Sequence, residues 1–219
     1  MTKSNDSNSL LSRSALRRLR EKEQKYSSIL KAAETLFAQK GYHQTSIDEI
    51  ADLAEVSTGA VYFYFKNKED LLIILMQEIG HQLRKLLAEE FKRTGFSFDS
   101  FKNISFAFLR DFCGSHPEWI AIIFRESVGQ SSEVEEQRRQ LFIKLTDDIK
   151  EAFVQISREQ GIDPVADFIP EMVAVCIIGV YERIASHYFL WQNHPQDIEN
   201  IAQKSVSFML GGINNLIKD

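Results

Sequence analysis

Apolar residues recur every three to four positions along most of the chain, which is the spacing of one face of an α-helix. This periodicity predicts helices over 26–40, 68–93, 97–113, 118–127 and 133–160, a very apolar helix over 165–191 that bends near Pro170, and a last helix from His194 and Pro195 to about Lys218. Strand-like alternation is almost absent, and the chain has only four prolines. The expected fold class is all-α. The helix over 68–93, about 39 Å long, is long enough to belong to two parts of the protein.

The stretch from Thr45 to Leu72, TSIDEIADLAEVSTGAVYFYFKNKEDLL, predicts two short helices with a tight joint and the start of a third. Thr45 or Ser46, each followed three residues later by an acidic residue, suits the N-terminus of the first helix. Ser57 suits the N-terminus of the second, Thr58 to Tyr64. Two helices joined by so short a turn form a helix-turn-helix, whose second helix lies in the major groove of DNA.

The composition of the second short helix separates this interpretation from that of any small helical pair packed in a core. The helix holds three aromatic residues and Gly59, and its apolar spacing turns Val61 and Phe65 inward. A glycine costs about 1 kcal/mol relative to alanine inside a helix. It is understandable where the backbone must approach a ligand closely. We therefore expect this helix to face DNA.

Together with the upstream residues ILKAAETLFAQKGYHQ, the stretch resembles the DNA-binding domain of the TetR/AcrR family of transcription regulators, over roughly Gln24 to Leu75. The resemblance implies an all-helical homodimer whose DNA binding is controlled by a small molecule. It also implies that the domain is followed by a larger helical domain for ligand binding and dimerisation. Glu55 departs from the pattern because the family often has glycine there, which puts the local turn geometry in question.

Matching the family's motif position by position gives each residue of the DNA-binding helix an expected role. The residues expected to face the bases are Thr58, Gly59, Ala60 and Phe63, with Ala60 suited to a thymine methyl group. The residues expected to fix the register through phosphates are Thr45, Tyr62, Tyr64 and Lys68. For Tyr62 a second role stays open, since its ring also suits support of the small core.

The charge is unevenly distributed along the chain. The net charge is −5, yet residues 1–68 hold 11 basic against 8 acidic residues, and Arg13 to Lys31 hold 7 against 2. Basic charge therefore gathers beside the helix-turn-helix, where phosphates would lie. We expect three segments: a flexible basic extension over 1–20, the helix-turn-helix domain over 21–68 and the larger helical domain over 69–219. Residues 13–25 could be helical, and they are either a solvated charged segment or a basic arm that follows phosphates; both interpretations remain open.

The helical remainder holds either an effector pocket or only a solid dimerisation block. The candidate ligand-binding residues are Phe101, Phe108, Phe112, Trp119, Arg125, Phe142, Phe153 and Met172. Their aromatic and aliphatic side chains suit an apolar or acyl-type ligand, although aromatics at helical spacing also simply fill a core. Arg125 interrupts an apolar run, so it needs either a structural ion-pair partner such as Glu126 or Glu182, or a ligand carboxylate that it would anchor.

The last two helices are the expected homodimer interface. Apolar stripes run along both of them: Val173, Ile177, Val180, Ile184 and Tyr188 on the first, and Ile201, Val206, Phe208, Met209 and Ile213 on the second. Two helices from each subunit would pack about a two-fold axis. A dimer is needed because one short recognition helix reads too few bases.

Several other classes of function lack support in the sequence. Catalytic and nucleotide-binding motifs are absent, which argues against an enzyme, and the five histidines show no ligand spacing, so no metal or cofactor is expected. Cys113 and Cys176 are expected to be buried thiols in a reducing cytosol. No signal peptide or membrane span is apparent, so a cytoplasmic protein is expected. The expected function is a repressor released from a palindromic operator by a small apolar or acyl-type effector. The alternative is an activator or global regulator of the same fold without an effector.

Overall fold

The computed structural model describes residues 13–161, 168–192 and 197–216. Within these ranges the chain is all-helical, with nine α-helices: α1 (Arg13–Lys40), α2 (Ile47–Leu53), α3 (Thr58–Tyr64), α4 (Lys68–Thr94), α5 (Phe98–Phe106), α6 (Pro117–Ala121), α7 (Ser132–Glu159), α8 (Ile169–Ala185) and α9 (Ile198–Leu216). Three π-helical segments extend α5, α6 and α8: Ala107–Cys113, Ile122–Glu126 and Ser186–Trp191. The all-α prediction is confirmed.

Helices α1 to α3 and the first turns of α4 pack around a small apolar core. Its fully buried members include Ile29, Phe37, Ile50, Val61 and Leu72. Each lies on the inward stripe of its own helix, so the 3.6-residue periodicity of the sequence corresponds directly to this packing. The result is a three-helix reading head carried on the N-terminal end of α4.

Helix α4 connects the reading head to the rest of the molecule. Asn67 caps its N-terminus by accepting from the amide of Asp70. The first turns bury Leu71 and Leu72 in the reading head, whereas Leu87 and Phe91, further along, line a cavity in the larger helical part. The helix has 27 residues, about 40 Å, which confirms the predicted long helix. One apolar cluster runs from Ile29 in α1 to Ala202 in α9, so the expected boundary at residue 68 falls where a shared helix begins.

The structure differs from the sequence prediction at both ends of the chain. Residues 13–20, expected to be flexible, are helical, because α1 begins at Arg13 and continues unbroken to Lys40. Pro170 lies in the first turn of α8, where a proline is tolerated; the part of the predicted helix that precedes Phe168, on which the predicted bend depends, lies outside the described residues. The predicted helix starts at Val165 and at His194–Pro195, and the expected end at Lys218, lie outside the described residues.

The two cysteines occupy different environments. Cys113 is buried, as expected, and burial raises the pKa of its thiol well above the usual value. Cys176 is exposed on α8, contrary to the expectation that both thiols are buried. Its helix is the most apolar in the chain, and the apolar residues extend over more than one of its faces.

One described stretch, Ile169–Trp191, is long and apolar enough to cross a membrane by length and composition. It carries Glu171, Glu182 and Arg183, and it buries Val173 against α7 and its neighbours. Charged residues of this kind are costly inside a bilayer. The stretch is therefore better described as a partly buried helix that packs against α7 than as a membrane span.

Candidate nucleic-acid interface and effector cavity

The turn between α2 and α3 is set by side-chain caps and one strained residue. Ser46 begins α2 and forms a reciprocal capping box with Glu49, and Ser57 begins α3 by accepting from the amide of Ala60. The Lys40 ammonium, together with the amide and hydroxyl of Ser46, lowers the pKa of Glu49 to about 2. Glu55 has a φ of 55°, the left-handed conformation that favours glycine. The turn therefore keeps the geometry that a glycine would provide, despite the departure at this position.

Helix α3 presents one outward stripe formed by Gly59, Tyr62 and Phe63. These residues are three and four positions apart and so lie on one helix face. Tyr62 is 55% exposed and Phe63 is 73% exposed, which is unusual for large aromatics. A Cβ placed on Gly59 would meet only the Ser57 hydroxyl, at 3.9 Å. The protein itself therefore does not require a glycine here, and the stripe is free to meet a ligand outside the fold.

Three other predicted DNA-binding residues are partly or wholly used inside the reading head. The hydroxyl of Thr58 donates to the Asp48 carboxylate at 2.8 Å and braces α3 against α2. The ring of Tyr64 is half-buried and packs edge-on against Tyr26, with the ring centroids 6.1 Å apart. Thr45 is only 2% exposed and donates its hydroxyl to the Gly41 carbonyl at 2.8 Å, so its side chain is not placed to reach a phosphate. Ala60, which was also predicted to contact DNA, is partly exposed.

Lys68, at the first position of α4, has its ammonium group within the protein. It donates to the carbonyls of Tyr42, His43 and Thr45 at 2.8, 3.4 and 2.9 Å, and it lies 4.4 Å from the centroid of the Tyr42 ring. An ammonium has three donors, so these carbonyls use all of them. Burial lowers the pKa of Lys68. The expected phosphate contact is therefore not available in this geometry, and the structure gives Lys68 the role of fixing the loop between α1 and α2.

The N-terminal turns of α1 run beside α3. Tyr26 stacks on Phe65 at a centroid separation of 5.1 Å, and one turn earlier the Lys22 ammonium lies 5.9 Å from the centroid of the Phe63 ring. The basic residues Arg13, Arg18 and Arg20 are exposed further toward the N-terminus. The segment expected to be a flexible arm is thus a helix that carries positive charge along the side of the candidate DNA-reading face.

The larger helical part encloses an apolar cavity between α4, α5, α7 and α8. Its lining is hydrocarbon and aromatic except at three residues, and it comprises Leu83, Leu87, Phe91, Phe101, Ile104, Ser105, Phe108, Phe124, Phe142, Leu145, Ile149, Ile177, Ile178, Tyr181 and Glu182. The cavity volume is about 90 Å³, which is less than the roughly 150 Å³ of an apolar cavity that accepts benzene. A long chain would therefore enter only if side chains lining the cavity moved.

The polar groups of the cavity all lie on two helices. Ser105 of α5 donates its hydroxyl proton to the Phe101 carbonyl at 2.6 Å and also pairs with the Tyr181 hydroxyl of α8. Burial raises the pKa of Tyr181 to about 12, which the hydrogen bond with Ser105 partly opposes. Glu182 follows on α8. The lining therefore contains a carboxyl group and two hydroxyls but no lysine, arginine or histidine.

Three of the eight predicted ligand-binding residues line this cavity: Phe101, Phe108 and Phe142. Phe112 and Phe153 are buried in packing that leaves them outside its lining. Met172 lies instead in a groove between α8 and α9. The spacing of aromatics along a helix reveals that they are buried, but it does not distinguish a cavity wall from the solid core on another face.

The other two predicted ligand residues, Trp119 and Arg125, face the reading head instead. The Trp119 indole donates to the Glu34 carboxylate of α1 at 2.9 Å. Arg125 pairs with Glu126 and donates to the Ala38 carbonyl at the end of α1, at 2.7 Å. Of the two predicted roles for Arg125, the structural ion pair with Glu126 is the arrangement that the structure shows.

Glu126 completes this contact between the two parts of the protein. It is 9% exposed, and its carboxylate accepts from the backbone amide of Tyr42, in the loop that leads to α2, at 2.6 Å. Phe124, two residues earlier in the same π-helical segment, lines the cavity. Three consecutive residues thus join the cavity wall to the end of α1 and to the helix-turn-helix. The sequence indicated a charged pair here but not its partners, which lie more than 80 positions away along the chain.

The outer faces of α8 and α9 carry exposed apolar residues. Of the predicted interface residues, Val173, Ile177, Val206, Met209 and Ile213 are buried within the protomer, whereas Phe208 is exposed. The exposed apolar residues of these helices are Met172, Val175, Phe208 and Leu216, with Phe168 just before α8, and Met172, Phe208 and Leu216 line one groove together with Val173 and Met209. Phe208 is 75% exposed.

Within the described residues, no three metal-ligating side chains lie together.

The family model for bacterial regulatory proteins of the tetR family matches residues 29–74, which comprise most of the reading head and the first turns of α4. A fatty acid metabolism regulator protein of Bacillus subtilis (strain 168) is 42% identical over 74 residues, which are 34% of this chain and 38% of that protein. The chain thus aligns with little more than a third of that relative.

Two further similarities extend over most of the chain. The transcriptional activator FasR of Mycolicibacterium smegmatis is 25% identical over 195 residues, or 89% of this chain and 85% of that protein. The structure of the transcriptional regulator FadR from Bacillus subtilis in complex with stearoyl-CoA matches with a TM-score of 0.76 at 21% identity, and the match covers 85% of this chain and 98% of that one. The fold of both halves is therefore shared with these regulators.

Proposed function

The chain belongs to the TetR family of bacterial transcription regulators, and we propose that it is a dimeric repressor that an acyl-type effector releases from a palindromic operator. It is a DNA-binding regulator rather than an enzyme. Its place of action is the bacterial cytoplasm, where the DNA lies. The observation that carries the proposal is the exposed stripe of Gly59, Tyr62 and Phe63 on α3. The domain that contains α3 packs on the N-terminal end of α4, and residues further along α4 line the cavity.

DNA is read by α3 lying in the major groove. Gly59 and Phe63 face the bases, since the absence of a side chain at 59 lets the backbone approach and Phe63 is the most exposed large apolar residue of the reading head. Tyr62 contacts a phosphate beside them. Lys22 and the arginines that precede it follow the backbone on the flank of the same groove, because α1 is helical there and lies next to Phe63. Lys68 supports this surface from inside.

Two copies pair through the outer faces of α8 and α9. An exposed apolar face that includes Phe208 and Val175 is unusual for a monomeric soluble protein and is typical of an interaction site. A second copy is the occupant, because two-fold pairing presents two α3 helices to successive major grooves. The proposed interface is thus formed by the last two helices, with Phe208 of the predicted set exposed on its surface.

The effector is a molecule with a hydrocarbon chain. The cavity lining supports this, since it is apolar over nearly all of its surface. The similarity to the FadR structure, which holds stearoyl-CoA, supports an acyl thioester as the class. Because the cavity volume is about 90 Å³, entry of a chain displaces side chains of α4 and of the π-helical segment Ile122–Glu126.

This displacement links the effector to DNA. When Phe124 moves to admit a chain, Arg125 and Glu126 move with it, and their bonds to the Ala38 carbonyl and the Tyr42 amide shift the end of α1 and the loop before α2. The reading heads of the dimer then no longer match two successive grooves. The effector acts only as far as it binds the released state more tightly than the DNA-bound one.

Activation is the second candidate for the direction of control. The similarity to FasR, which is an activator, supports it. Both candidates use the same protein–DNA contact and differ in where the operator lies relative to the promoter.

The proposal is tested by adding decanoyl-CoA or stearoyl-CoA to the protein bound to a labelled operator fragment. Release at concentrations that leave a Glu126→Ala variant bound to DNA supports both the effector class and the coupling contact. Glu118→Ala, which removes a carboxylate of α6 outside this contact, is the control and responds as the unmodified protein does. DNA binding that no acyl thioester alters contradicts the proposed effector.

A further inference from the structure

Arg138 is a partly buried cation that the fold pairs poorly. It lies on the inward stripe of α7 with Val134, Leu141 and Leu145, which are buried and are spaced three or four positions apart. The Arg138 side chain is 26% exposed, the least of the arginines that form ion pairs within the described residues. Its pair with Glu135 is nevertheless 3.8 Å long, whereas the other arginine pairs in this part of the chain are 2.7 Å or shorter. The most buried of these cations thus has the weakest partner.

The Nε of Arg138 is buried and has no hydrogen-bond partner among the described residues. Nε and Nη2 form the edge of a guanidinium that binds both oxygens of one carboxylate. Arg84 shows this arrangement, since its Nε and Nη2 donate to the two oxygens of Asp148 at 2.5 and 2.8 Å. In Arg138 the contact with Glu135 is made by Nη1, outside this edge, and the Glu135 carboxylate also accepts from the Gly129 amide at 2.8 Å. The edge of Arg138 is therefore unfilled at Nε.

This guanidinium lies directly behind the wall of the apolar cavity. Its central carbon is 5.2 Å from the centroid of the Phe142 ring. Phe142 lines the cavity together with Phe124, and the centroids of these two rings are 6.3 Å apart. Leu145 and Ile149, further along α7, line the same cavity. The lining that α7 contributes therefore begins at Phe142, about one helical turn from Arg138.

We infer that Arg138 binds the anionic end group of an effector whose hydrocarbon chain occupies the cavity. Entry of the chain displaces Phe124, and Phe142 packs against that ring, so the same movement opens a path from the cavity to the guanidinium. The edge at Nε then receives two oxygens of one carboxylate or phosphate group. This contact satisfies a buried donor that is otherwise costly to leave unpaired. The inference rests on the proposed function in one respect, namely that the cavity is the effector site.

Arg138 supplies a selectivity that the cavity lining does not. The lining is almost entirely apolar, so it holds a chain of suitable size with little preference for the group at its end. An uncharged hydroxyl would occupy one donor of the guanidinium, whereas an anionic oxygen pair fills the edge and neutralises the charge. Arg138 therefore acts as a specificity-determining residue that recognises the charge of the effector.

The inference is tested on the purified full chain, without DNA, by calorimetric titration at neutral pH with decanoate, decyl phosphate and decanol. Each probe is kept below the concentration at which it forms micelles. The probes share a chain and differ in the end group: a carboxylate, a phosphate and an uncharged hydroxyl. We expect at least one of the anions to bind about tenfold or more tighter than decanol. The anion that binds more tightly identifies the end group.

Three variants assign the preference to one side chain. Arg138→Gln removes the charge and is expected to bring the favoured anion to within about threefold of decanol, with the affinity for decanol itself changed by less than about threefold. Arg139→Gln makes the same substitution at the next residue, which is exposed and pairs with Glu136, and is expected to behave as the unmodified chain does. Arg138→Lys keeps the charge without the bidentate edge and is expected to retain part of the preference. This variant keeps the test informative if Arg138→Gln folds poorly.

Each outcome supports or overturns the inference. Anions that bind no tighter than decanol overturn it, and so does a chain that binds none of the three probes. An Arg138→Gln variant that loses affinity for all three probes equally also overturns it, because Arg138 would then have a structural role only. An anion preference that depends on Arg138, together with an operator complex that no acyl compound releases, supports the inference and contradicts the proposed effector control. The two failures are therefore distinguishable.

Discussion

Replacing Gly59 with alanine is expected to stabilise the protein and to weaken its binding to DNA. A Cβ at this position would lie 3.9 Å from the Ser57 hydroxyl and near nothing else, so the fold accepts it without strain. Alanine is favoured over glycine in a helix by up to about 1 kcal/mol. For a chain of this size such a gain raises the melting temperature by about 2–4 °C.

The effect on DNA has the opposite sign. If the backbone at position 59 lies against a base pair or a sugar, the added methyl group overfills that contact. Overpacking of a close-packed contact costs about 1–3 kcal/mol, which corresponds to roughly 5- to 150-fold weaker binding. Fluorescence anisotropy with a labelled operator measures the affinity, and thermal unfolding of the same preparation measures the stability.

The combination of the two measurements excludes misfolding as the cause of weaker binding, because a variant that melts at a higher temperature is folded. Gln39→Ala, at an exposed position of α1 in the same domain, is the control and is expected to leave affinity unchanged. A Gly59→Ala variant that binds the operator as tightly as the unmodified protein would refute the close approach of α3 to DNA.

Three further substitutions test other parts of the account. Lys68→Ala leaves three carbonyls without their shared donor and is expected to lower the free energy of unfolding by about 2 kcal/mol. The salt dependence of DNA binding is expected to stay the same. A salt slope lowered by about one, with unchanged stability, would instead indicate a phosphate contact. Glu55→Gly relieves a left-handed conformation that costs roughly 1 kcal/mol or more and is expected to raise the stability in urea unfolding, whereas Glu55→Ala is not; a glycine variant that is less stable would contradict the strain. Phe208→Asp places a charge on the exposed face of α9 and is expected to give monomers in sedimentation and to weaken operator binding. The melting temperature of the protomer is expected to change little. A variant that remains dimeric would show that the interface lies elsewhere.

The elements nearest the helix-turn-helix were predictable because their signals are local. Ser46 and Glu49 form a capping box, Ser57 and Asn67 begin the next two helices, and the apolar positions of α4 repeat over seven turns. Each of these features involves residues within a few positions of one another. The first turns of α1 were predicted only as a possible helix because they have few apolar residues. Their helix is continuous with the buried part of α1 and carries pairs such as Arg17 with Glu21.

The cavity was only partly predictable because it depends on which of several apolar faces meets which neighbour. Phe142 and Phe153 both lie on the apolar face of α7, yet the first lines the cavity and the second packs into a separate core cluster. Glu182 was one of two partners expected for Arg125, but Arg125 pairs with Glu126, and Glu182 lies next to Tyr181 among the residues that line the cavity.

The central claim is that paired copies of α3 read duplex DNA, and selection of bound fragments from a random pool of duplexes tests it most directly. We expect an enriched sequence with two-fold symmetry, whose half-sites lie about 34–36 Å apart or a multiple of that distance. We also expect the Phe208→Asp variant to lose this enrichment. A pool that shows no enrichment at low ionic strength, or an enriched sequence without two-fold symmetry, would contradict it.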